Sequence, residues 1–135
     1  YFALYQGEPM LSGLDTQLRG LGFQLHKIFP PAYRPLVNSQ IERLNKRQMP
    51  DQIIDGDAVY IRDLDGIKGF DDEQVLHMAM LAACVIHSHS LVLFCLDELV
   101  VRGLVPADLP RAYANALPDK IKRSTSKRGN KEGVV

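Results

Sequence analysis

The sequence has no tryptophan, only two cysteines (Cys84 and Cys95), and no excess of charge of either sign. Two cysteines are too few for the disulfide framework that stabilises small secreted domains, so we expect both thiols to be reduced and packed, as in a cytoplasmic protein. Sixteen basic and sixteen acidic residues give a net charge of zero. That balance argues against a nucleic-acid-binding protein that works through bulk charge.

Several catalytic motifs are missing as well. The sequence contains no G-x-x-x-x-G-K-[ST] phosphate loop, no G-x-G-x-x-G after a strand, and no G-x-S-x-G nucleophile elbow. The residues do not assemble a catalytic constellation by themselves. The sequence alone therefore assigns no catalytic, cofactor-binding or metal-binding residue.

The composition is that of a folded chain. Hydrophobic residues make up 46% and charged residues 24% of 135 residues, enough to bury a core. The chain opens with an aromatic and apolar run at residues 1–5, which predicts the end of a buried strand. A buried strand at the first residue favours the interpretation that the chain is a fragment of a larger fold.

A strand–helix–strand unit is predicted over the first thirty residues. Leucines at 11, 14, 18 and 21 form the apolar stripe of an amphipathic helix, with Leu14 and Leu18 expected in the core. Gly22 is expected to end that helix in a left-handed conformation. Residues 23–29 alternate between apolar and polar before two prolines and predict a strand. This order is that of a βαβ unit in a parallel sheet.

The middle of the sequence is irregular. Four prolines interrupt residues 30–56, which we interpret as a long excursion with one short helix. Residues 57–63 predict a further strand, bounded by Gly56 and by the turn signal Asp65-Gly66.

Helices are predicted from residue 71 onward. Asp71 with Gln74 three residues later matches a capping box. The nearly continuous apolar run at 75–86 predicts a helix that is buried on most of its surface. Ser90 is expected to cap a second helix over residues 91–102.

Gly103 is expected to end that second helix, and Pro110 to lie in the first turn of a third. Beyond Pro118 the chain is a polar tail, and residues 119–135 hold six basic and two acidic residues, a net charge of +4. Basic tails can contact nucleic acid or anionic lipid, but we interpret this one as a solvated terminus.

Residues 75–96 carry no formal charge and approach the length of a membrane span. Polar residues at 88–90 lie near the middle of this stretch, which favours two buried helices joined by a polar turn.

Histidines and clustered carboxylates raise the question of a metal site. His87 and His89 straddle the predicted helix break, and His77 lies ten residues before His87, so the spacings typical of ligands on one helix are missing. Cys84 lies three residues before His87, without a second cluster. The acidic stretch at 51–73 does not match a calcium-binding EF-hand loop. We interpret these side chains as linker, turn and helix-cap residues.

Two stretches carry a resemblance to a known family. The first is Leu-Tyr-Gln-Gly-Glu-Pro-Met-Leu at residues 4–11, followed by Leu18 and by Leu-Gly-Phe-Gln-Leu at 21–25. The second is Gly-Asp-Ala-Val-Tyr-Ile-Arg-Asp at 56–63. In this order and at this distance they resemble the late part of the FkbM family of S-adenosylmethionine-dependent methyltransferases. The resemblance covers residues 1–64, about half of the chain.

The resemblance implies an α/β chain that forms the C-terminal portion of a Rossmann-like methyltransferase fold. Residues 1–64 would supply about three strands and a crossover helix, namely the fifth strand at the start of the chain, the helix at 11–21, the sixth strand at 23–29 and the seventh at 57–62. A helical extension at 65–118 and the basic tail at 119–135 would follow, without a family match.

The resemblance also implies that the parent protein transfers a methyl group from S-adenosylmethionine to an oxygen of a small-molecule acceptor or sugar. In this fold the cofactor loop follows the first strand and the ribose-binding acid ends the second, which places both upstream of Tyr1. We therefore expect this chain alone neither to bind the cofactor nor to catalyse the transfer.

Two alternatives stay open: a binding or assembly module that oligomerises through its helical half, and a fragment of a different α/β enzyme. We expect the chain to form a homo-oligomer, because a cut sheet edge has unpaired backbone groups and a helix that is apolar on several sides exposes hydrophobic surface.

Overall fold

The computed structural model describes residues 10–122, and the chain divides into two units, one ending at Gly69 and the other beginning at Phe70. The first, which we call the sheet unit, holds one α-helix and two pairs of strands. The second, the helical unit, holds three α-helices. The expectation of a mixed α/β chain is confirmed. The strand predicted at 1–5 and the tail from residue 123 lie outside the described residues.

Helix α1 (Leu11–Gly20) forms where the leucine stripe predicts it. Gly22 follows it with a φ of 80°, which glycine adopts without a Cβ clash, and its N–H donates to the carbonyl of Arg19 at 3.0 Å. The expectation that Leu14 and Leu18 are core residues is wrong, because both are only half-buried. Among the described elements, the main packing partner of α1 is the strand that follows it, and part of each leucine is exposed.

Within the described part of the chain, four strands form two antiparallel pairs. Strand β1 (Phe23–Ile28) pairs with β4 (Ala58–Arg62), and β2 (Ala32–Arg34) pairs with β3 (Gln52–Asp55). The strands at 23–29 and 57–63 are thus confirmed to within a residue. The predicted parallel sheet does not form among the described strands, and the strand that would pair in parallel with β1 falls on residues 1–5.

A β-bulge interrupts β1 between Leu25 and Lys27. The apolar residues of this strand are two apart from Phe23 to Leu25 but three apart from Leu25 to Ile28. A bulge inserts one residue into a strand, so it accommodates the extra residue while alternation continues on either side.

Residues 35–51 connect β2 to β3 and contain two 3₁₀ turns, Ile41–Arg43 and Lys46–Gln48. The segment that was predicted to be irregular therefore contains a short strand at each end, and these two strands, which pair with each other, were not predicted. A third 3₁₀ segment, Leu64–Gly69, closes the sheet unit.

The helical unit consists of α2 (Asp72–Cys84), α3 (His89–Val101) and α4 (Leu109–Ala116). The capping box of α2 is confirmed: the Asp71 carboxylate accepts from the Gln74 N–H at 2.8 Å, and the Gln74 side-chain oxygen accepts from the Asp71 N–H at 3.1 Å. Gly103 follows α3 with a φ of 72°, and Pro110 lies in the first turn of α4, both as predicted.

Helix α3 begins two residues before the predicted position. Its N-cap is Ser88 and not Ser90. His87 adopts a φ of 49°, and the Ser88 N–H donates to the Ala82 carbonyl at 2.8 Å, so the chain reverses immediately after α2. Residues 75–96 are thus divided between two helices, and within residues 10–122 no helix is long and apolar enough to cross a membrane.

The core of the helical unit lies between α2 and α3, which pack against each other. It consists of Val75, Ala79 and Ala82 from α2 and of Leu91, Val92, Cys95, Leu96 and Leu99 from α3. The expectation that α2 is buried on most of its surface is wrong. Three large apolar residues on its other side and the C-cap residue that follows it are 46–61% exposed, and we call them the α2 apolar face: Leu76, Met80, Leu81 and Val85.

Arg102 joins the end of α3 to the start of α2. Its Nε donates to Glu98 at 2.9 Å, and one terminal nitrogen donates to the Asp72 carboxylate at 3.0 Å and to the Phe70 carbonyl at 2.7 Å. Its hydrogen bonds to Asp72 and then to Glu98 raise the pKa of the Arg102 guanidinium, which stays charged at any working pH.

Candidate functional site

The connection between β2 and β3 encloses a cleft of about 600 Å³, which we call the basic cleft. Its apolar wall is formed by Pro35, Val37, Ile41, Met49 and Pro50. Its polar side chains are Tyr33, Arg34, Glu42, Lys46 and Arg47. Concave, mostly apolar sites with a few polar groups, of about 300–1,000 Å³, are typical of small-molecule binding sites.

Two asparagines shape this connection. The Asn38 side chain accepts from the Gln40 N–H at 2.9 Å and donates to the Leu36 carbonyl at 3.0 Å. The Asn45 side chain accepts from the Arg47 N–H at 3.2 Å. Asparagine commonly nucleates turns in this way, and each bond here precedes or begins one of the two 3₁₀ turns. The second bond positions Arg47 beside the cleft.

The charges that line the cleft do not cancel. Lys46 pairs with Glu42 at 2.7 Å. The guanidinium groups of Arg34 and Arg47, by contrast, make no hydrogen bond or ion pair with any residue between 10 and 122. The lining therefore carries two unpaired positive charges next to an apolar wall. Guanidinium groups present planar pairs of N–H donors that match carboxylate and phosphate oxygens.

A second polar group joins α1 to β4. The Tyr60 hydroxyl donates to one oxygen of Asp15 at 3.0 Å, and Arg19 Nε donates to the other at 2.8 Å. The hydrogen bond from Arg19 lowers the pKa of Asp15. Burial, and then the hydrogen bond to Asp15, raises the pKa of Tyr60.

These three side chains border an open cleft of about 480 Å³ that Met10, Leu11, Ser12 and Leu25 complete. Because both oxygens of Asp15 already accept a hydrogen bond and its pKa is lowered, this carboxylate is a poor general base. We therefore assign the group to the attachment of α1 to the sheet.

The structure separates the histidines and cysteines weighed in the sequence. His77 lies on α2, 3.8 Å from Glu73, whereas His89 lies on α3 with its Nδ1 2.9 Å from the Tyr113 hydroxyl. The expectation that both thiols are packed is confirmed for Cys95, which is buried, and wrong for Cys84, which is exposed at the end of α2. Within the described part of the chain, no three histidine, cysteine or acidic side chains converge on a point that could hold a metal ion.

Sequence reasoning missed the basic cleft, which lies in the segment interpreted as an irregular excursion. One signal was present: residues 32–50 contain four basic residues but a single acidic residue, Glu42, the basic ones being Arg34, Arg43, Lys46 and Arg47. A local excess of positive charge among prolines and apolar residues is the pattern that could have indicated it.

Comparisons with family models, with curated proteins and with solved structures find no match to this chain.

Proposed function

We propose that the sheet unit is the closing part of a Rossmann-like, S-adenosylmethionine-dependent methyltransferase that methylates an oxygen of a small molecule or sugar. The observation that carries the proposal is the β1–β4 pair with α1 packed on β1. It follows the element order expected from the FkbM resemblance: a helix, a strand, a long excursion and a last strand.

The burial of these two strands supports an origin in a larger sheet. Residues of β1 and β4 are half-buried at consecutive positions, without the alternation of a sheet that has one wet face. Doubly wound folds commonly carry an antiparallel strand on an otherwise parallel sheet. Within residues 10–122 neither strand has a second hydrogen-bonded neighbour, and a two-stranded sheet is at best marginally stable by itself.

The cofactor would belong to the parent protein. In Rossmann-like folds a glycine-rich loop after one strand and an acid at the end of the next hold the nucleotide. Residues 10–69 contain no such glycine-rich loop, so we assign no step of the methyl transfer to them. Both cysteines of the chain are free thiols, which supports a cytoplasmic location as part of this proposal.

Calorimetry with S-adenosylmethionine tests the proposal in two proteins, this chain and the longest product of its reading frame. We expect the longer protein to bind the cofactor with a dissociation constant below about 10 μM, near −7 kcal/mol, and this chain not to bind it. A longer protein that does not bind the cofactor would exclude the methyltransferase. Tight binding by this chain alone would exclude the proposal that the cofactor site lies elsewhere in the parent protein.

A second candidate function, dimerisation, rests on the α2 apolar face. Residues 76–85 contain no aspartate, glutamate, lysine or arginine, so a charged partner surface would be desolvated there without compensation. A second copy of the chain offers the same face, which carries His77 as its one titratable side chain other than Cys84, and a two-fold axis makes such a face self-complementary. We propose that α2 pairs with α2 of a second copy.

The size of this face predicts a weak dimer. Ten helical residues span about 15 Å, and one helix face of that length buries well below the roughly 800 Å² per partner of a standard stable interface. We therefore expect association at micromolar concentrations and above.

Sedimentation equilibrium tests dimerisation at chain concentrations from about 1 to about 200 μM, a range that brackets the expected dissociation constant. The double variant Met80→Lys/Leu81→Lys is expected to be a monomer at every concentration. Val101→Lys, at a position of α3 that is 81% exposed, is the matched control and should dimerise like the parent chain. A single species of 15.1 kDa throughout, or equal effects of the two changes, would exclude pairing through α2.

A further inference from the structure

We infer that the basic cleft binds a small organic anion, a carboxylate or phosphate monoester attached to an apolar ring or chain. The inference concerns binding alone and does not depend on the methyltransferase proposal. It rests on the combination, in one cavity of about 600 Å³, of two unpaired guanidinium groups with an apolar wall.

The two guanidinium groups come from separate elements. Arg34 ends strand β2, and Arg47 lies in the second 3₁₀ turn, where the Asn45 side chain holds its backbone N–H. Both side chains nevertheless line the same cleft. An anion bound in the cleft would be attracted by both charges and would accept hydrogen bonds from the guanidinium groups.

The third cation of the lining is already used. Lys46 pairs with Glu42 at 2.7 Å, an i,i+4 contact between largely exposed side chains. Such a pair contributes little to stability, but it neutralises the one carboxylate of the lining, which would otherwise repel an anion. The net charge presented to a ligand is therefore about +2, suited to a carboxylate or a phosphate monoester.

The apolar wall selects the rest of the ligand. Pro35, Val37, Ile41, Met49 and Pro50 offer no charged group. Val37 is 92% exposed, so an apolar ligand body would remove this side chain from water, with a favourable free energy. An inorganic anion would use the guanidinium groups alone and is expected to bind more weakly than an organic one.

Nuclear magnetic resonance titration of the full chain tests the inference, with phenyl phosphate as the probe. Phenol and inorganic phosphate are the comparison probes, because each carries one half of the proposed chemistry. We expect phenyl phosphate to shift the backbone amides of residues 33–50 with millimolar affinity, at least about tenfold tighter than either comparison probe. Benzoate tested beside benzamide distinguishes carboxylate from phosphate recognition.

Matched variants identify the groups responsible. Arg34→Gln/Arg47→Gln is expected to weaken phenyl phosphate binding at least tenfold. Arg43→Gln removes the same charge from the same segment, at a position outside the cleft lining, and should leave the affinity within about twofold. Unchanged affinity in the double variant, an equal loss in the Arg43 variant, or equal binding of phenol would overturn the inference. Amide spectra of each variant check that the segment keeps its structure.

Discussion

The sheet unit and the helical unit differ most in what they bury. Eight of the ten buried hydrophobic residues among the described positions belong to α2 and α3, and only Ile61 and Ile67 belong to the sheet unit. Two helices joined by a short reversal bury one face against each other directly. Two short strand pairs and one helix leave most of their apolar atoms half-covered. Among residues 10–122, the helical unit thus carries a core of its own, whereas the sheet unit buries only two hydrophobic side chains.

Hydrogen bonds connect the elements of the sheet unit, in which few apolar side chains are buried. Tyr60 reaches Asp15 of α1, and Arg62 donates to the carbonyl of Leu21, which follows α1, at 3.3 Å. Hydrogen bonds at exposed positions contribute less than buried apolar contacts, because water competes for the same groups. The comparison predicts that the helical unit is more stable than the sheet unit.

Thiol labelling gives the largest expected difference. Cys95 is fully buried between α2 and α3, and burial raises the pKa of its thiol from 9.0 to about 11. Cys84 is exposed. Because the thiolate is the reactive form, a pKa higher by two units lowers the thiolate fraction of Cys95 about a hundredfold, and burial also keeps the reagent away from it. Iodoacetamide labelling followed by mass spectrometry should modify Cys84 first; comparable rates would mean that the α2–α3 core opens readily.

Truncating one leucine in each unit compares their cores directly. Leu99 is 2% exposed, and Leu99→Ala should lower the free energy of unfolding by about 2–5 kcal/mol. Leu18 on α1 is half-buried, and Leu18→Ala should cost about 1 kcal/mol. Urea titration, followed at amide signals of each unit, measures both. An equal loss for the two variants would refute the proposed difference in burial.

The capping box of α2 is expected to have a smaller effect. Asp71→Ala removes the acceptor for the Gln74 N–H and should cost the helical unit about 1 kcal/mol. Asp108 is the matched control, because it precedes α4 but its side chain makes no capping hydrogen bond within the described residues. Asp108→Ala should therefore change the unfolding midpoint little, and a similar shift from both variants would argue against the cap.

The stability of the sheet unit is expected to depend weakly on pH, through Asp15 in acid and Tyr60 in alkali. The folded-state pKa of Asp15 lies below 3.8, so the ionised carboxylate stabilises the fold above about pH 4, and that contribution is lost as pH falls through the lowered pKa. The raised pKa of Tyr60 gives the opposite sign: its contribution is present below 10.0 and disappears as pH rises through the folded-state value.

Hydrogen exchange of α1 amides across both pH ranges measures these two contributions. Asp15→Asn should remove the acid-dependent part, and Tyr60→Phe the alkaline part. Unchanged pH dependence in Asp15→Asn would show that other carboxylates are responsible.

Local signals in the sequence predicted the elements whose causes are local. The leucine stripe gives α1, the capping box gives the start of α2, and Gly22 and Gly103 take the left-handed conformations expected of them. Strands β2 and β3 were missed because they have only three and four residues. Their identity comes from pairing across the chain, for example of Tyr33 with Ile53. Period and composition likewise do not distinguish an antiparallel partner from a parallel one.

The errors on α2 and on the cleft share one cause, since both depend on neighbours distant in sequence. An apolar run predicts that a helix is buried on several sides. Met80 and Leu81 are nevertheless exposed, because α3 packs on the opposite side of α2. The cleft joins Arg34 to Met49 and Pro50 across the whole β2–β3 connection. No periodic pattern links such positions, so only the charge balance of the segment pointed to it.

The hydrogen bonds of Arg102 affect the rate at which the helical unit unfolds. Two of its partners, Phe70 and Asp72, lie about thirty residues upstream, so forming these bonds requires the closure of a loop of that length, at a cost in entropy. We therefore expect them to form after the rate-limiting step of folding, and interactions that form so late act mainly on the unfolding rate. Stopped-flow circular dichroism of Arg102→Gln should therefore show faster unfolding and nearly unchanged refolding, which makes this arginine a determinant of the lifetime of the native state.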